Sequence, residues 1–99
     1  MNFEQIKAYA PHLYKLAKKY GISKIFLTGS TARGDSSSIS DVDFLVEMNP
    51  DASLFGVAGF MFEAEQLLGI SVDVIPICLL PEIKDQAFAK NIQEDAVAL

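Results

Sequence analysis

Ninety-nine residues, 51% of them apolar and 21% charged, suffice for one compact domain with a single core and leave no room for a second. A net charge of −5 gives no electrostatic footprint for a phosphate backbone, so direct nucleic-acid binding is not expected. No run approaches the ~20 apolar residues of a membrane span, and Met1-Asn2-Phe3-Glu4-Gln5 has neither the cationic stretch nor the apolar core of a secretion signal. A soluble, cytoplasmic protein is expected.

Asn2 followed by Gln5 resembles a helix start, and Ile6, Ala10, Leu13, Leu16, Ala17 and Tyr20 recur at helical spacing before Gly21. Pro11 predicts a kink, or a short first helix followed by a second with Pro11 in its first turn. His12, the only histidine, falls in this stretch and is given no metal or general-base role. Residues 22–28 are β-branched and aromatic-rich and predict a first strand. Residues 29–40, rich in Gly, Ser, Thr and Asp, predict a turn, one helical turn and a loop.

Residues 42–48 predict a second strand, closed by Asn49-Pro50. A helix is expected over 52–68, with Leu54, Val57, Met61, Ala64 and Leu68 as its apolar stripe and Gly69 as its end. At about 100° per residue, Phe55 and Phe62 align with each other but lie off that stripe. They either anchor a partner protein or, the simpler expectation, are the second buried side of a sandwiched helix. Residues 71–75 predict a third strand ending at Pro76, and 81–93 a last helix. Cys78, the sole cysteine, allows no intrachain disulfide and is expected as a buried structural thiol.

The order is α-β-α-β-α-β-α, an α+β domain with a small mixed sheet of about three strands flanked by helices. A strand, a crossover helix and another strand should lie parallel in one sheet, which sets the third strand with the second. Charge is divided unevenly: residues 1–33 carry Lys7, Lys15, Lys18, Lys19, Lys24 and Arg33 against Glu4 alone, while the remaining acids face only Lys84 and Lys90. The basic region is taken as a solvated surface.

Asp41 and Asp43, two apart on a strand, point to the same face, while Val42, Phe44 and Val46 take the other. Asp is depleted in strands, and like charges held this close ask for a compensating cation. Asp73 repeats the anomaly between Val72 and Val74, and on a parallel neighbour it can face the other two. Any one of the three alone reads as a solvated strand residue. Together they suit hard divalent ions such as Mg²⁺, in a two-metal arrangement. Glu47, Glu63, Glu65, Asp85, Glu94 and Asp95 are expected on solvated faces or helix ends.

Gly29-Ser30, directly after the first strand, aims backbone N–H groups and a hydroxyl into the turn, an anion site that lacks both the P-loop and the dinucleotide pattern. Arg33 is suited to phosphate oxygens or to pairing with Asp35 or another acid. With one His and one Cys, zinc sites and Cys-His catalysis lack ligands.

Gly29-Ser30, ten residues, then Asp41-Val42-Asp43 spell G-S-x10-D-x-D, which resembles the nucleotidyltransferases of the DNA polymerase β superfamily. The runs FLTGSTARGD, SDVDFLVE and SLFGVAGFMFEAEQLLGISVDVIP more closely resemble the minimal nucleotidyltransferases, MntA-type antitoxins usually paired with a HEPN-domain toxin of the HepT type. The likeness covers residues 22–75 and, more faintly, the closing IQEDAVAL. Thr28 replaces the family's usual aromatic before Gly-Ser, and the frequent terminal tyrosine is missing.

The resemblance implies a polymerase β-like nucleotidyltransferase fold over 1–99. ATP and two Mg²⁺ would bind, with Gly29, Ser30 and Arg33 on the triphosphate and catalytic Asp41, Asp43 and Asp73 on the metals. It further implies AMP transfer to a hydroxyl, a tyrosine of the HEPN/HepT-type toxin, whose RNase activity is thereby silenced. Two alternatives stand beside it: nucleotidyl transfer to small hydroxylated molecules such as aminoglycosides, and an antitoxin that neutralises by binding alone.

Overall fold

The computed structural model describes residues 3–28 and 41–99. The first helical stretch is split into α1 (Phe3–Ala8) and α2 (Ala10–Lys19). Pro11 sits in the first turn of α2, where a missing N–H costs nothing, so the second of the two expectations holds. Gly21 then takes φ +78°, and its carbonyl accepts from the Asn49 N–H at 2.8 Å.

Four strands form one sheet in the order β3-β2-β1-β4. Strand β1 (Ile22–Thr28) pairs antiparallel with β2 (Asp41–Met48), and β2 pairs parallel with β3 (Ser71–Pro76) through the crossover helix α3 (Phe55–Leu68). The fourth strand, β4 (Val97–Ala98), lies antiparallel on β1, and the Leu99 N–H reaches the Ile25 carbonyl at 2.9 Å. The sequence reading expected about three strands; two residues are too few to show alternation.

Alternation along the strands sorts residues onto two faces. Ile25 and Leu27 of β1, Val42, Phe44 and Val46 of β2 and Val72 of β3 are buried with Ile6, Leu13 and Ala17 and with Phe60, Ala64 and Leu68 of α3. Phe44 and Phe60 meet with ring centroids 6.3 Å apart, tilted at 60°. The buried stripe of α3 is thus Phe60-Ala64-Leu68, not one starting at Leu54, which is exposed. Phe55 is 90% and Phe62 62% exposed, so the helix does not bury its second side.

The opposite face carries a smaller cluster of Leu45, Leu80, Ala89 and Ile92. It is covered by a 3₁₀ helix (Ile77–Glu82) and by α4 (Gln86–Asp95). The expected helix over 81–93 is therefore two elements. Pro81 lies within the 3₁₀ segment, which ends at Glu82, and Asp85 caps α4, its Oδ1 accepting from the Phe88 N–H at 3.1 Å. Cys78 is exposed, not buried: with three residues per turn, Leu80 takes the core side and Cys78 faces out. Among the described residues no helix is long and apolar enough to cross a membrane.

Helices α2 and α3 approach closely through Tyr20. A Cβ on Gly56 would lie 2.6 Å from the Tyr20 carbonyl oxygen, and one on Gly59 2.5 Å from its ring. The Tyr20 hydroxyl donates to Glu63, which also pairs with Lys19 at 3.1 Å. Those contacts hold the Glu63 carboxyl below its ordinary range, with the Tyr20 hydrogen bond the larger cause. Glu63 is thus a bracket between helices. The backbone oxygen facing Gly56 cannot rotate away, so Gly56→Ala should destabilise by about 1–3 kcal/mol despite a gain of about 1 kcal/mol in helix propensity. The check is a fall in urea midpoint at unchanged m value.

Candidate active site

Three in-register rows cross the second face. Phe26, Leu45 and Ile75 make an apolar row beneath the 3₁₀ helix and α4. The next row is Thr28, Asp43 and Asp73, with Asp43 directly opposite both neighbours, and Asp41 stands opposite Ser71 one row beyond. The three acids therefore share a face at the end of the sheet where β2 and β3 begin. Strand β1 finishes at that same end, with Thr28 opposite Asp43. Gly29, Ser30 and Arg33 lie outside the described residues.

Asp43 is half-buried, and its carboxyl is pushed above the ordinary carboxylate value, first by burial, then by the charges of Asp73 and Asp41, and last by a hydrogen bond with Asp73. The row holds more negative charge than it can comfortably ionise. Such a donor set, oxygen only and charge-frustrated, fits a divalent cation. Among the described residues no group of three or more His, Cys, Asp or Glu side chains is placed to hold a metal ion, so the protein's share of such a site rests on the Asp43–Asp73 pair. Mg²⁺ here would draw its remaining ligands from water and substrate phosphates, as that ion usually does.

Beside the row lies a cavity of about 530 Å³. Thr28, Asp43 and Asp73 line it on the sheet, Phe88, Asn91 and Asp95 of α4 line it opposite, and Val74 and Met61 extend it round the β3 edge. The α4 wall is fastened by one buried hydrogen bond. Thr28 is 1% exposed, and its Oγ1 donates to the Ile92 carbonyl at 2.9 Å, in the last turn of α4, where helix carbonyls run out of backbone donors. On the other side Glu65 of α3 accepts from the Val72 N–H at 2.9 Å, covering part of the edge of β3 beside Asp73.

Sequence reasoning missed Phe88, Asn91 and Asp95, which share one side of α4 at i, i+3 and i+7. Asp95, expected on a solvated face or at a helix end, is the last residue of α4 and also lines the cavity. Glu63 and Glu65 likewise have partners in the fold. His12 lies on α2, its ring 6.4 Å from that of Tyr9, and does not line this cavity.

The chain matches the nucleotidyltransferase domain family over residues 12–99 and belongs to it. Within that family it is a minimal nucleotidyltransferase. A solved minimal nucleotidyltransferase matches it with a TM-score of 0.78 and 25% identity, over 100% of this chain and 97% of that one. A protein adenylyltransferase homologue of Methanocaldococcus jannaschii, so assigned by name, is 32% identical over 87% of this chain and 90% of its own. The protein adenylyltransferase MntA of Thermococcus cleftensis is 32% identical over 76% of this chain and 77% of its own.

Two more distant structures share the fold. A toxin-antitoxin with AMP-PNP has a TM-score of 0.65 at 16% identity, over 99% of this chain and 72% of that one. A tri-AMPylated Shewanella oneidensis HEPN toxin in complex with MNT antitoxin gives 0.62 at 14%, over 93% and 69%.

Two outcomes follow from the row. Asp43 binds its proton more tightly folded than unfolded, so its contribution to stability is full at low pH and is lost as pH rises through the folded value. In metal-free protein at pH 7, Asp43→Asn should therefore be more stable than wild type, by of order 0.5 kcal/mol after solvent screening, or about 2–4 °C in Tm. The gap should close as the pH is lowered through the carboxylate range. Thr28→Val, which leaves the Ile92 carbonyl without its side-chain donor, should cost about 1–3 kcal/mol, read as a lower urea midpoint.

Proposed function

We propose that this nucleotidyltransferase moves AMP from ATP, with Mg²⁺, onto a tyrosine hydroxyl of a HEPN/HepT-type toxin and so acts as its antitoxin in the cytoplasm. The observation that carries the reading is the pairing of Asp43 with Asp73 across parallel strands, with Asp41 on the same face beside a cavity. The names of the adenylyltransferase homologues and of the toxin complexes with AMP-PNP and with MNT antitoxin support the nucleotide and the partner.

The residues divide the work. Asp41, Asp43 and Asp73 would hold the metal ions, and Gly29, Ser30 and Arg33 would take the triphosphate. Bound Mg²⁺ would polarise the α-phosphate and neutralise charge on the attacking and leaving oxygens. The hydroxyl oxygen forms a bond to the α-phosphorus, the bond to the β-phosphate oxygen breaks, and pyrophosphate departs. Asp73 takes the hydroxyl proton. The toxin would dock on the exposed side of α3, where Leu54, Phe55 and Phe62 lie open to solvent.

The experiment incubates the protein with a HEPN/HepT-type toxin, Mg²⁺ and ATP labelled at the α-phosphate. Label should appear on the toxin, vanish with EDTA, and fall at least about 10³-fold for Asp41→Ala plus Asp43→Ala, the scale expected when charge stabilisation is removed. An unlabelled toxin with wild type, or labelling equal to that of the double variant, would overturn the reading. The exposed α3 aromatics also favour a second one, neutralisation by binding alone. It requires the double variant to protect cells from the toxin as well as wild type does.

A further inference from the structure

We infer that the side of α4 bearing Phe88 and Asn91 is a wall that recognises the purine of the nucleotide. The inference rests on the nucleotide reading above and adds to it which residues choose the base. Ala89 and Ile92 turn inward onto the Phe26-Leu45-Ile75 row, while Phe88 and Asn91 line the cavity. Phe88 is 51% exposed, an aromatic face held at the cavity mouth with no ring partner among the described residues. Asn91, almost one turn further along, offers an amide donor and an amide acceptor side by side. That pair matches the N6 amino group and N7 of adenine, whereas guanine presents two acceptors along the same edge.

The cavity suits the nucleoside better than other parts of the reaction. None of its described lining residues is Lys or Arg, and the acids Asp43 and Asp73 would repel a triphosphate that is not metal-bound. Bare phosphates are therefore disfavoured against α4, which leaves this wall for the base. A protein-borne acceptor must bring a partner's surface with it and needs an open approach. A space of about 530 Å³ between a sheet and a helix admits a small molecule. The Thr28 to Ile92 hydrogen bond sets the distance between this wall and the carboxylate row, so base and metals are held in one frame.

The test is calorimetric titration of the whole chain, with Mg²⁺, against non-hydrolysable adenosine, guanosine and cytidine triphosphates and against tripolyphosphate. Phe88→Ala should weaken the adenosine analogue about tenfold, the loss expected of one base stack, and Phe88→Tyr should restore it. Tripolyphosphate should bind all three forms alike. Asn91→Leu, which can neither donate to N7 nor accept from N6, should narrow the preference for the adenosine over the guanosine analogue.

Unchanged affinities and base order in variants that melt like wild type would sink the inference. So would unchanged nucleotide affinities in variants that label the toxin more weakly than wild type, which would make the wall an acceptor site. Wild-type protein that binds none of the nucleotides overturns both this and the proposed function. Base-selective binding without toxin labelling leaves the wall standing and removes only the protein transfer.

Discussion

The in-register parallel pairing of β2 with β3 puts Asp43 and Asp73 opposite each other, and the chemistry at that end of the sheet depends on it. Side chains alternate along a strand, so a slip of one residue would send Asp73 to the far face, into the packing under α3. The acids do not set this register, since they repel. It is set by Val42, Phe44, Val46 and Val72, which must be buried against Phe60, Ala64 and Leu68, and by Glu65, which holds the Val72 N–H. Placement of the carboxylates is thus imposed by apolar residues on the other side of the sheet.

That separation explains how a small domain tolerates a row of like charges. Stability comes from the larger cluster, which contains no acid, and the charged row sits at the sheet end where water can still reach Asp41 and Asp73. Asp43 alone of the three is half-buried, and burial with the neighbouring acids pushes its carboxyl up. The local cost falls on the position with acids on either hand. A bound cation would reverse the sign of that cost, which couples the chemistry of the site to the stability of the fold.

The sequence made the strands legible because a two-residue period leaves little choice. Asp41 and Asp43 are separated from the buried Val42 and Phe44 by nothing but alternation, and Ile22–Thr28 appears as expected. Gly21 and Pro11 marked breaks because each has a single backbone reason to be there. Helix faces were less legible. Helix α3 is apolar nearly all round, so periodicity alone did not choose Phe60 over Leu54 or reveal that Phe55 and Phe62 stay exposed. Cys78 and the helix over 81–93 were misjudged for a related reason: an apolar stretch beside Pro81 reads equally as buried strand end, helix or 3₁₀ turn. Phe88 and Asn91 carried no signal, since their role appears only once α4 is packed over the sheet.

Thr28 shows how a departure from a family pattern acquires a physical meaning. Where an aromatic would only fill space, the hydroxyl is spent on the Ile92 carbonyl, and it stands in the same row as Asp43. One residue thereby ties the end of β1, the carboxylate row and α4 together. The two clusters can then vary separately. The larger fixes the strand register and hence the acids, whereas the smaller, with Thr28, fixes only where α4 lies. Substitutions on the cavity side of α4 can change what the cavity holds without disturbing the residues that would do the chemistry. This division lets one minimal scaffold keep its carboxylates while its ligand-facing wall changes.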